Sequence, residues 1–450
     1  MKLQTYHMTE GNPLRLLTVF AAPLLIGNLF QQVYSLADSI IVGKLIGAGA
    51  LAAVGATGSV SFLFFSLCNG IGSGSGIVTS RYFGAEDEEN VRKSVANAAY
   101  VMFGSAILMS VIAYFAAPLV LRLTGTPDDI WQDAVVYLHV SCVGVPFIAV
   151  YNYAASILRA LGDSRTPLYF LIFACFLNIG LDILAVYCLG LGVFGAGLAT
   201  IIGQFAAGIG CLLYAIRTNP YFRLERRHFR PEKNILWGTV RMGVPLAMQY
   251  SLVSISCLAM QRVVNSFGST AIAAFTATSR VEQFVHQPYG SLGAALTTYS
   301  GQNLGAGRMD RVKLGFRTSV YLGVAFSLVM FPVMQLFGDN IMRIFVADAA
   351  VVELGSAALR ITSWFYFTLG LIYLTRGVLN GVGDALFAFI NGIVEMAGRI
   401  ILPPLLILIP SVGIYGIWWA AGLTWFLSAF FCLLRYFAWR RHSEAQQIAF

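Results

Sequence analysis

The sequence predicts an all-α integral membrane protein with twelve transmembrane helices arranged as two pseudo-symmetric six-helix bundles. Three observations carry that prediction. Of its 450 residues 58% are hydrophobic and only 11% are Asp, Glu, Lys or Arg, whereas a soluble domain carries about a quarter charged residues. Apolar runs of about 18 residues or more recur along the whole length, which is what a helix needs to cross a hydrocarbon layer of roughly 30 Å. The third is an internal repeat. The alternating pattern of a membrane barrel is absent, so helices are the one spanning option left.

The spans read, in order, as 14–43, 51–80, 94–121, 132–158, 168–189 and 193–216, then 238–265, 271–300, 315–337, 351–375, 387–409 and 413–436. The first carries Asp38, is too long for a secretory signal and lacks a small-residue cleavage site, so it is expected to remain as a span. Lys and Arg number 22 on the side of the N-terminus. The opposite side holds only Lys44, Arg122 and Arg343. Both termini are therefore expected in the cytoplasm, in a multi-pass protein of the cytoplasmic membrane. This asymmetry also explains the net charge of +8, so no nucleic-acid partner is expected.

The most polar stretch, NPYFRLERRHFRPEK at 219–233, reads as a solvated cytoplasmic connector. It separates a first lobe, 1–216, from a second, 238–436; the connector is 217–237 and the tail 437–450. The two lobes match at an offset of 221 residues. Ala52-Ala53 matches Ala273-Ala274, Gly84-Ala85 matches Gly305-Ala306, and Gly162-Asp163 matches Gly383-Asp384. Gly192 to Gly195 matches Gly413 to Gly416, and with an offset of 222 Pro23-Leu24 matches Pro245-Leu246. Six spans per copy bring both copies in from the same side. That is the parallel-repeat plan of secondary transporters, with an axis along the membrane normal and a substrate path near the midplane.

Ionisable groups at the bilayer centre cost roughly 2.5–3.5 kcal/mol on insertion scales, so those retained point to function. Span 1 carries Asn28, Gln31, Ser35 and Asp38 at helical spacing, with Gln32 and Tyr34 beside them. Pro23 and Gly27 lie on its cytoplasmic side and make a candidate hinge. Span 5 carries Asn178 and Asp182 one turn apart. No Lys or Arg lies at this depth in spans 1 to 6. Two carboxylates in one apolar cavity cannot comfortably both ionise, so one holds a proton or the pair binds a cation. Asn178, Thr200 and Tyr34 offer further oxygens, the ligand type of hard cations.

The repeat makes this site one-sided. Asp38 matches Met260, Asn178 matches Arg399, Asp182 matches Pro403 and Thr200 matches Ala421. The second half instead carries Arg262, Arg280, Glu282, Glu395 and Arg399, a nearly balanced set. Glu395 and Arg399 are spaced to pair along span 11. Gln31, Gln32, Arg280, Glu282 and His286 are the candidate substrate-cavity residues. His139 and His286 otherwise read as hydrogen-bonded core residues.

The seven cysteines fall in or beside apolar segments without a CxxC pair and read as small core hydrophobes. The glycine run Gly70 to Gly76 follows no strand, so close helix packing explains it better than a phosphate loop. There is no GxxxxGK[ST], HExxH or GxSxG pattern, so neither an ATP-driven pump nor an intramembrane enzyme is expected.

The ordered set QQVYSLADSIIVGKLIGAGALAAVGA (31–56), RALGDSRTPLYF (159–170), FLNIGLDILAV (176–186) and RVEQFVHQPYGSLGAALTTYSGQNLGAG (280–307) resembles the multidrug and toxic compound extrusion (MATE) family over essentially the full length. It looks most like the DinF-like branch. The resemblance implies an antiporter that exports organic, cationic amphipathic compounds, driven by re-entry of H⁺ in preference to Na⁺. It implies coupling through Asp38, Asn178, Asp182, Thr200 and Tyr34, with Na⁺, if used, at Asp38, Asn178, Asp182 and Thr200. The other main bacterial branch uses acids in spans 7 and 10. This chain has Met248-Gln249-Tyr250 in span 7 and no carboxylate in the middle of span 10. No cofactor beyond the coupling ion is expected, and the partners are small organic molecules and the lipid bilayer, the protein acting as a monomer. The alternative is a lipid-linked precursor flippase.

Overall fold

The computed structural model describes residues 7–123 and 125–448, and among them there is no β-strand. The first six spans are α1 (Pro13–Leu45), α2 (Ala48–Gly84), α3 (Glu88–Leu123), α4 (Asp128–Ala160), α5 (Arg165–Asp182, continued by a π-helical turn Ile183–Cys188) and α6 (Gly192–Thr218). Then follow α7 (Lys233–Asn265), α8 (Ser269–Gly305), α9 (Met309–Phe345), α10 (Ala349–Ser363), α11 (Tyr366–Gly381), α12 (Ala385–Ile407) and α13 (Gly416–Ile448). Among the described residues nine helices are long and apolar enough to cross a membrane, ten when α10 and α11 count as one span. The other two, α2 and α8, have 37 residues each, about 55 Å at 1.5 Å per residue.

Large apolar side chains face outward: Phe115 and Ile344 are each 77% exposed, Leu123 78% and Leu336 73%. Such a surface is stable in hydrocarbon and not in water.

The chain divides into two compact units. The first comprises Val19–Ser251, Gly301–Arg308 and the segment ending at Glu10. Here α4 packs against α2, α3 and α6. The contacts use small residues at helical spacing: Ala113 and Ala117 of α3 meet Ala134, Leu138 and Cys142 of α4. The glycine run does what its spacing suggests, because a side chain on Gly70 or Gly74 would strike the backbone of Ala247 or Gly243 in α7. Helix packing in lipid depends on such close approach.

The connector is less solvated than its composition suggests. It folds into two 3₁₀ turns, Pro220–Phe222 and Arg226–Phe229. Asn97 of α3 pins them, donating to the Arg230 carbonyl at 3.2 Å and accepting from the Glu232 N–H at 2.8 Å. His228 is fully buried.

The second unit comprises Gly11–Thr18, Leu252–Ser300 and the chain from Met309 onward. In it α9 packs on α10 and α11, and α13 on α11 and α12. Span 10, expected as one helix, is broken: α10 and α11 meet at 54°. No proline causes this. The ring of Phe365 presses on Gly422 of α13, and Gln335 of α9 donates to the Arg360 carbonyl at 2.8 Å and to Ser363 Oγ at 2.9 Å. A break at membrane depth persists when neighbouring side chains satisfy the freed backbone.

The repeated glycine-aspartate loops keep their backbone and change their partners. Gly162 and Gly383 have φ of 85° and 88°, a region where only glycine is unstrained. Asp163 then caps α5, accepting from the N–H groups of Arg165 and Thr166 at 3.0 Å each. Asp384 instead pairs with Arg435 at 2.6 Å.

Candidate functional site

In the first bundle α1, α5 and α6 bring the predicted polar residues together. Thr200 Oγ1 is the hub. Its proton goes to the Ala196 carbonyl at 3.2 Å, which leaves its lone pairs for Tyr34 OH at 3.2 Å and Asn178 Nδ2 at 3.3 Å. With its amide nitrogen so engaged, Asn178 keeps its oxygen free.

Asp182 is wholly buried and Asn178 is 2% exposed. The Asp38 and Asp182 carboxyls face each other closely enough to share a hydrogen bond, a bond that exists only when one of them carries a proton. Without that proton, Asp38 Oδ1, Asn178 Oδ1 and both Asp182 oxygens are buried with no hydrogen-bond partner among the described residues. Buried acceptors left in this way cost about 1–3 kcal/mol each, more when charged. A proton or a small cation would supply what these oxygens lack.

Two features of this site escape sequence reading. Tyr137 of α4 lies within electrostatic reach of both carboxyls; an aromatic residue in an apolar span gives no signal of that. Asp182 is also the last residue before the π-helical turn, where Leu189 N–H bonds back five residues to Leu184 at 3.0 Å. Such turns re-aim side chains and recur at functional sites.

The other predicted residues of α1 are placed as follows. Gln31 is exposed and Gln32 half-buried. The helix runs through Pro23 without a break, and Gly27 lies against Leu168 and Leu171 of α5, which a side chain there would meet at 3.3–3.4 Å.

The second bundle departs from expectation. Glu395 pairs with Arg376 of α11, at 3.0 Å, and not with Arg399. Arg376 also donates through Nε to Asn391 Oδ1 at 2.7 Å, and Ser428 closes the network on Asn391 at 3.0 Å. The sequence-read boundary at 375 puts Arg376 in a loop, whereas it lies within α11. Packing of α11 against α12 and α13 decides the pairing, and a one-turn spacing on one helix does not compete with it.

Arg399 instead donates to Ser256 Oγ at 3.0 Å and Cys257 Sγ at 3.2 Å. Glu282 has Thr362 beside it, yet its Oε1 is buried with no partner. His286 shares a hydrogen bond with Tyr373 OH at 3.2 Å and packs edge-on to Trp425. His139, expected as a hydrogen-bonded core residue, instead stacks on Tyr114 at 4.1 Å and leaves Nε2 unpartnered. Arg262 and Arg280 are exposed. So are Cys188 and Cys257, contrary to their reading as core residues; the latter accepts from Arg399.

A twelve-span chain with two six-helix bundles has the architecture of a membrane transporter. The MatE family model matches residues 23–184 and 245–405, two segments that begin 222 residues apart and end 221 apart, as the internal repeat does. The chain belongs to the MatE (multidrug and toxic compound extrusion) family. It is 30% identical over 405 residues to the probable multidrug resistance protein YoeA of Bacillus subtilis (strain 168), covering 88% of this chain and 87% of that one. Its fold is similar to crystal structures of MATE in the straight conformation, with a TM-score of 0.91, and in the bent conformation, at 0.90. Identities are 23% and 22%, and each alignment covers 99% of this chain and 100% of the other.

Proposed function

We propose that the protein is a proton-coupled antiporter of the DinF-like branch, exporting positively charged amphipathic organic compounds by alternating access. The observation that carries this reading is the set of buried oxygens on Asp38, Asn178 and Asp182 that no donor among the described residues satisfies. A proton shared by the two carboxyls completes the set. The carboxylate, amide and hydroxyl oxygens of Asp38, Asn178, Asp182 and Thr200 also fit a small hard cation such as Na⁺, so the ion is a point for experiment. Export of organic compounds is supported by the family and by the description of YoeA as a probable multidrug resistance protein. The lipid-linked precursor flippase reading gains no support.

The cycle follows from differential affinity. With the outer face open, a proton enters the Asp38–Asp182 pair, changes the setting of α1 around Pro23 and Gly27, and weakens substrate binding. Substrate leaves, the inward state forms, and the proton is released to the cytoplasm. Both termini lie in the cytoplasm in this scheme. All five coupling residues belong to one bundle, so one chain suffices as the working unit.

The test is efflux of a fluorescent organic cation from vesicles under an imposed pH gradient or, separately, a Na⁺ gradient, with Asp38→Asn and Asp182→Asn alongside. The proposal expects the pH gradient to drive export and both variants to lose it. Full gradient-driven export by both variants would sink it.

A further inference from the structure

In the second bundle the repeat position of Asn178 is held by Arg399, so the place that carries acidic-site chemistry in one half carries a guanidinium in the other. A cation at this depth is costly and normally sits in an ion pair. Arg399 has none among the described residues. The carboxylate one turn away, Glu395, is taken by Arg376 at 3.0 Å. The Arg399 guanidinium uses only Nη1, toward Ser256 and Cys257, and its Nε and Nη2 have no hydrogen-bond partner among the described residues. They are not sealed off either: neither is a buried orphan atom, and the residue is partly buried rather than fully enclosed. An aromatic cluster of His286, Tyr373 and Trp425 stands beside it, and Glu282 lies within its electrostatic reach with Oε1 unpartnered.

Two adjacent donors on a planar guanidinium match a carboxylate, which Lys or a neutral amide cannot engage in the same forked way. We propose that Arg399 recognises a carboxylate on the exported compound, so that the second bundle selects zwitterionic aromatic amphiphiles over plain cations. The positive end of such a compound is favoured near Glu282, and its ring system by the neighbouring aromatic groups. This rests on the transporter reading above and adds the substrate's second charge to it. Arg399 acts in selection, separately from the ion site of the first bundle.

A matched pair of dyes isolates the carboxylate: rhodamine B carries one, and its ethyl ester does not. The full-length protein is reconstituted in vesicles for gradient-driven export of each dye. The same purified protein is titrated with each dye without any gradient, by fluorescence anisotropy. The proposal expects the ratio of rhodamine B to ester to fall about tenfold in Arg399→Gln in both assays, the loss of one charge-assisted contact, and to recover in part in Arg399→Lys. An unchanged ratio, a parallel loss of both dyes, or a wild type that ignores rhodamine B overturns it. Failure of the coupling scheme looks different: export stops responding to the gradient while the binding ratio still reports on Arg399.

Discussion

The two bundles descend from one pattern and have been given opposite chemistry. In the first, Asn178 and Asp182 on α5 meet Asp38 on α1 and Thr200 on α6, with no cation among them. In the second, the equivalent positions hold Arg399, Pro403, Met260 and Ala421, and the buried acid Glu395 is neutralised by Arg376. The comparison teaches that the repeat conserves backbone and packing and leaves each bundle free in its charges. An unneutralised buried acid is unstable alone, so the first bundle invites an ion. A closed ion pair invites nothing, so the Arg376–Glu395 network is structural.

The largest expected effect comes from removing the acids that distinguish the first bundle. Asp38→Asn or Asp182→Asn should reduce gradient-driven dye export to the background of protein-free vesicles. The double variant should be no worse than either single one, because the pair works as a unit; additive losses would argue for two separate roles.

Next comes the structural pair of the second bundle. Arg376→Gln strands a buried carboxylate, which costs about 3–5 kcal/mol, and should appear as a large drop in Tm of the purified protein. Replacing both partners, Arg376→Met with Glu395→Leu, should recover much of it. If the single variant melts like wild type, the pair is not structural and the contrast between bundles fails.

Gln335→Leu sharpens the account of the broken span. Removing the donor to the Arg360 carbonyl leaves that group with the Ser363 hydroxyl, at 2.8 Å, as its remaining donor, a loss of about 1 kcal/mol. The expected readout is faster hydrogen exchange confined to α10 and α11. The smallest effect belongs to Thr200→Val, which removes the hub hydroxyl while leaving both carboxyls in place. It should weaken coupling by about fivefold to tenfold, near 1 kcal/mol, measured as the gradient needed for half-maximal export.

Much of this was legible in the sequence, and the reasons are physical. Twelve spans and their two-fold organisation follow from apolar length and a constant repeat offset, which tertiary contacts do not alter. The acidic cluster was legible because Asn178 and Asp182 share one helix face and lipid makes lone acids costly. What stayed hidden depends on contacts between distant elements. The break at Trp364 and Phe365 needs Gln335 from α9 and Gly422 from α13. Arg376 finds Glu395 across a helix boundary, and Tyr137 joins the acidic cluster from α4. No local pattern announces any of these.

The most direct test of a one-sided ion site is proton release on substrate binding, recorded with a pH dye on the purified protein in weakly buffered solution. The account predicts that a transported organic cation, at saturating concentration, releases protons from wild type and from Glu282→Gln, and that Asp182→Asn abolishes the release. Loss of the signal in Glu282→Gln with its survival in Asp182→Asn would place the coupling ion in the second bundle and contradict the account.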